Sequence, residues 1–121
     1  MAYAMTTHAD PDVLAAAIAA VRRGGDEMIA STRRWVEVNS YTANVAGVNA
    51  VGAMLREAFA LPGLSCTTIA GGDCGDHLVW RTPAADRAAP ILLIGHHDTV
   101  FPPGHFEGWH EVDGRGDTFL G

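Results

Sequence analysis

Along this chain the apolar and polar residues change their rhythm several times, and each change predicts a different element. Residues 1–9 carry no pattern and are expected to fray. Asp10-Pro11-Asp12 then offers a capping carboxylate, a proline for the first helical position and an acid for the positive end of the helix dipole. The predicted helix runs through Val13–Arg23, is weakened at Gly24-Gly25 by roughly 1 kcal/mol per glycine, and restarts at Asp26 through Met28, Ile29, Thr32 and Val36. Helix is therefore expected over about 11–38, in one or two pieces. Asn39-Ser40-Tyr41-Thr42 reads as a turn, with Thr42 or Asn44 capping the next helix. Val45, Val48, Gly52, Leu55 and Phe59 recur at steps of three and four, an apolar stripe that belongs to a core, with Gly52 marking close approach of a neighbour. Pro62-Gly63 stops this helix, expected over 43–60.

The pattern then becomes β-like. Leu64–Ala70 and His77–Thr82 read as strands joined by the glycine-rich turn Gly71–Asp76, a connection short enough to make them an antiparallel hairpin. After the loop Pro83–Ala89 comes Ile91-Leu92-Leu93-Ile94, an unbroken apolar run of the kind found in strands buried on both faces. Gly95 closes it, and His96, His97, Asp98 and Thr99 follow at once. A buried strand delivering imidazole and carboxylate at its carboxyl end resembles the edge of an active site in an open α/β sheet. Strand alternation sends His96 and Asp98 to one side and His97 to the other. Val100–Gly108 reads as loop, with short strands at Trp109–Val112 and Thr118–Leu120 around the turn Asp113-Gly114-Arg115-Gly116.

Composition narrows the classes. The chain has 121 residues, enough for one modest core, with 48% hydrophobic and 18% charged side chains. A formal charge of −6 argues against nucleic acid or an anionic membrane as partner. Cys66 and Cys74 are too few for a disulfide framework and suit free thiols in a reducing cytoplasm. The longest apolar run, Val13–Val21, is too short to span a bilayer, and acids rather than bases precede it, unlike a signal peptide.

The candidate chemistry lies in His96 and Asp98. A histidine beside a carboxylate suits metal binding, one ring nitrogen meeting the cation while the carboxylate takes the other N–H; a strand end with incidental polar residues is the plain alternative. Asp73, Cys74, Asp76 and His77 match no metal cage in their spacing and are read as turn chemistry. Arg33-Arg34 is read as solvated surface, His105 and His110 as exposed loop histidines, and Arg115-Gly116-Asp117 as a chance tripeptide.

ILLIGHHDTV resembles the Gly-His-x-Asp-Thr-Val signature of the zinc-dependent exopeptidases related to glutamate carboxypeptidase, acetylornithine deacetylase and succinyl-diaminopimelate desuccinylase. VFPPGHFEGW after it, VEVNSYTANVAGVNAVGAML upstream and GDHLVWRT before it resemble further segments of that family, in the family's order, from about Trp35 onward. The resemblance implies an α/β fold, a three-layer α/β/α catalytic domain over residues 10–121, with strands 64–70, 77–82 and 90–95 in one sheet flanked by the two helical regions. It also implies that the domain is incomplete, lacking the bridging aspartate, the paired glutamates, the other ligands and a second domain that often dimerises. The implied activity is amide hydrolysis with two zinc ions, cobalt being a substitute, on a small peptide or an N-acyl amino acid. His96 would be a zinc ligand, Asp98 the carboxylate supporting it, and Thr99 a brace for the strand end, with His97 in the family's variable position. The 121 residues alone are then expected to be inactive. A non-catalytic binding domain on the same scaffold, and a module using the His96-Asp98 pair with one metal or none, are the rival readings.

Overall fold

Asp10 starts the first helix as its chemistry predicts. Its Oδ1 accepts a hydrogen bond from the Asp12 N–H at 2.9 Å, and Pro11 takes the first position of α1, Pro11–Arg23. The computed structural model describes residues 10–86, 91–112 and 119–120. Within it α1 ends at Gly24 and α2, Gly25–Val36, follows directly, so the two-piece version of the first helix is the one observed. Helical hydrogen bonds continue through the junction, from the Gly24 N–H to Ala20 O at 3.0 Å and from the Met28 N–H to Gly24 O at 2.9 Å. Neither helix buries a residue. Among the described residues no helix is long and apolar enough to cross a membrane.

The chain divides into two compact units, Met1–Thr32 and Arg33–Gly121, and the core lies in the second. Helix α3, Val45–Ala58, is capped by the Asn44 side chain, whose Oδ1 accepts from the Gly47 N–H at 3.2 Å. It buries Gly47, Val48, Val51 and Gly52, with Val48 and Val51 forming the buried apolar core. The stripe read from the sequence is thus shifted by part of a turn: Val48 and Gly52 are buried, Val45 and Leu55 are half-buried, and Phe59 lies at the edge. Phe59 meets Trp80 edge-on with ring centroids 5.5 Å apart.

Strands β1, Ser65–Ile69, and β2, His77–Arg81, form the expected antiparallel hairpin, with Thr67 opposite Val79 at its centre. The hairpin turn packs on α3. Gly75 holds φ at +81°, and a Cβ there would come within 2.6 Å of Val48 Cγ1, so both its backbone and its neighbour require glycine. Next to it the Asp76 N–H donates to Asn49 Oδ1 at 2.7 Å. Further along α3, Arg56 donates to the Thr68 hydroxyl at 3.0 Å. A second short pair, β3 (His110–Glu111) with β4 (Phe119–Leu120), is also antiparallel. The turn and tripeptide within 113–117, and residues 1–9 and 87–90, lie outside the described residues.

The expectation for Ile91–Ile94 is not met. These four residues are 89, 79, 89 and 87% exposed and belong to no strand. Among the described residues the run has no partner. The hairpin closes on itself as a two-stranded sheet, and no described segment lies beside 91–95 to take its N–H and C=O groups. The single sheet containing 64–70, 77–82 and 90–95 is therefore absent among the described residues. Pairing resumes only at the end of the segment, where Thr99 forms a parallel bridge with Tyr41.

Candidate functional site

That bridge assembles the site. The Thr99 N–H donates to Ser40 O at 2.8 Å, and the Thr42 N–H donates to Thr99 O at 3.1 Å. Just beyond, Asn39 Nδ2 donates to Phe101 O at 3.2 Å. The turn before α3 is itself braced by Asn44, whose Nδ2 donates to Asn39 O at 2.8 Å. The cap of α3 and the platform for residues 96–101 are thus one local construction, with Ser40 buried at its centre. Thr99 does brace this segment, through its backbone.

His96 and Asp98 lie side by side. His96 Nδ1 is 2.9 Å from the backbone carbonyl oxygen of Asp98 and 3.3 Å from its carboxylate Oδ1. Both atoms are acceptors, so in the neutral imidazole the proton belongs on Nδ1 and the lone pair on Nε2. The His96 side chain is 81% exposed, which leaves Nε2 open to a ligand.

Asp98 is held from its other side. Thr42 Oγ1 donates to Asp98 Oδ2 at 2.7 Å, a short bond of the charge-assisted kind. This hydroxyl is the main reason that the Asp98 carboxyl is held below the usual carboxylate range; partial burial opposes it, while the residue's own backbone and His96 add to it. Thr42 was one of two candidates for the cap of α3; Asn44 takes the cap, which leaves the threonine hydroxyl for the carboxylate.

His97 points elsewhere. Its ring lies against Gly52 of α3, and its Nε2 is buried with no hydrogen-bond partner among the described residues. His105 is exposed on the loop. His110 Nε2 is bonded to Glu107 O at 2.8 Å, with its ring 5.1 Å from that of Phe106. Gly72–Cys74 forms a short 3₁₀ turn, Cys66 and Cys74 are free and exposed, and Arg33 and Arg34 are exposed at the end of α2.

For a metal ion, the described residues offer a partial fit. His96 presents one oriented imidazole nitrogen with its carboxylate behind it, the arrangement outer partners give to a ligating histidine. No group of three or more His, Cys, Asp or Glu among the described residues could hold an ion. Comparison of the chain with family models, with curated proteins and with solved structures finds no match.

Proposed function

We propose that this chain carries one corner of the metal centre of a zinc-dependent amide hydrolase of the glutamate carboxypeptidase kind. The observation that carries the reading is the Nδ1 contact of His96: a proton fixed on Nδ1 leaves Nε2 as a metal donor, and Asp98 stands behind the ring to hold it. Zinc, when bound, would supply Lewis acidity toward an amide carbonyl and toward water. His96 would bind and Asp98 would orient. The substrate would be a small peptide losing its C-terminal amino acid, or an N-acyl amino acid.

A zinc site takes three or four protein ligands, so on this reading the others come from outside the described residues. The same holds for the strand partners of Ile91–Ile94, whose pairing would complete the three-layer sheet and bury the run. The free thiols of Cys66 and Cys74 suit a reducing cytoplasm.

The test uses the polypeptide encoded by the whole reading frame that contains these residues. Metal analysis should find zinc, and hydrolysis of N-acyl amino acids or glutamyl conjugates should be abolished by a chelator. His96→Ala should remove zinc from one site. Asp98→Asn should keep most of the metal and lower turnover. Unchanged zinc content and activity in His96→Ala would refute the assignment.

A further inference from the structure

We propose that Thr42 is a positioning residue for the His96–Asp98 pair, its hydroxyl fixing the rotamer of the Asp98 side chain so that one carboxylate oxygen faces His96. The inference rests on the reading above for what the pair does, and on geometry alone for how the pair is held.

The two carboxylate oxygens of Asp98 are divided between two neighbours. Oδ2 accepts from Thr42 Oγ1 at 2.7 Å, and Oδ1 lies 3.3 Å from His96 Nδ1. An aspartate side chain has three staggered wells about χ1 and turns broadly about its last torsion, so nothing internal to the side chain keeps its carboxylate beside the histidine. A donor on the far oxygen does. The Thr42 hydroxyl has one proton and two acceptors in reach, Asp98 Oδ2 at 2.7 Å and Thr99 O at 3.3 Å. The shorter, charged acceptor is the stronger partner.

The hydroxyl is also spare as far as docking of the loop is concerned. The backbone bonds Thr42 N–H to Thr99 O and Thr99 N–H to Ser40 O, with the Asn39 side chain on Phe101 O, join the two segments without it. Valine at position 42 keeps the branch at Cβ and both backbone bonds, and removes only the donor. Serine keeps the donor. The threonine comes from the turn that opens α3, 56 residues before the aspartate it holds, so its hydroxyl adds to those backbone links a contact with the His-Asp pair itself.

The experiment has two readouts. In metal-free chain labelled at aspartate, the Hα–Hβ couplings of Asp98 report its rotamer. The native protein and Thr42→Ser should show one staggered rotamer, and Thr42→Val should show intermediate, averaged couplings. In the polypeptide from the whole reading frame, Thr42→Val should lower zinc affinity about tenfold, the lower end of what loss of an outer partner costs, and Thr42→Ser should restore it. A single fixed Asp98 rotamer in Thr42→Val would overturn the proposal. So would an averaged rotamer in the native chain, a measurement that needs no variant to fold. If Thr42→Val frees Asp98 while His96→Ala keeps its zinc, the positioning role stands and the metal role falls.

Discussion

His97 rests on Gly52: a methyl group placed on that glycine would lie 3.4 Å from His97 Nε2 and 3.9 Å from Cδ2, with Leu78 Cδ1 3.5 Å away. The contact seats the His-Asp segment on α3 through His97, while the His96 side chain stays exposed. Alanine fits this space at ordinary van der Waals distance. A larger side chain does not, because both neighbours already touch the position.

The first prediction follows. Gly52→Ala should be tolerated, and its better helix propensity of about 1 kcal/mol offsets any tightening of the contact. Gly52→Leu should push His97 and Leu78 away and destabilise the second unit by about 1–3 kcal/mol, the usual range for overpacking. Urea unfolding followed by Trp fluorescence measures this, since Trp80 lies on the hairpin that carries Leu78. Equal stability of the alanine and leucine variants would show that the glycine space is not filled by His97.

The second prediction concerns pH in the metal-free chain. The folded protein holds the Asp98 carboxyl below its ordinary range, chiefly through the Thr42 hydroxyl. A depressed carboxyl contributes stability that is present above its unfolded value and is lost as pH falls through the folded one. Thr42→Val should raise the Asp98 value. Native and variant proteins should therefore differ in stability near neutral pH and converge in acid, below the ordinary carboxylate range. Carbon-detected titration of Asp98 gives the shift directly; a gap that widens toward low pH would show the opposite linkage.

What the sequence disclosed and what it hid have physical causes. Helix starts and hairpins are local, so Asp10, Pro11 and the turn before His77 read correctly from neighbours alone. The separation of His97, beside Gly52, from the His96–Asp98 pair was legible too, since it follows the period of two read from the sequence. Two things were not legible. The Thr42–Asp98 bond joins residues 56 apart, and in the sequence the threonine had a nearer role on offer as a helix cap. The fate of Ile91–Ile94 depends on partners rather than on its own composition. An apolar run says that a segment wants burial, not that a neighbour is at hand.

That run carries the last prediction. Four large aliphatic side chains at 79–89% exposure, on backbone that pairs with no strand among the described residues, make a segment with apolar surface and backbone groups still to be covered. Such a segment pairs with whatever extended chain it meets. The 121-residue chain should therefore self-associate with rising concentration, and sedimentation velocity should show larger species at the expense of monomer. Leu93→Lys, a charge in the middle of the run, should restore monomer without changing the unfolding midpoint, because Leu93 is 89% exposed and has little to lose. If the whole reading frame supplies strand partners for this run, the same substitution in the longer protein should have the reverse effect. There a lysine would be buried between neighbouring strands, and stability should fall by several kcal/mol for want of a charge partner. Leu93→Lys that is neutral in both proteins would mean that the run stays exposed in the longer chain as well, and with it the three-layer sheet would have to be abandoned.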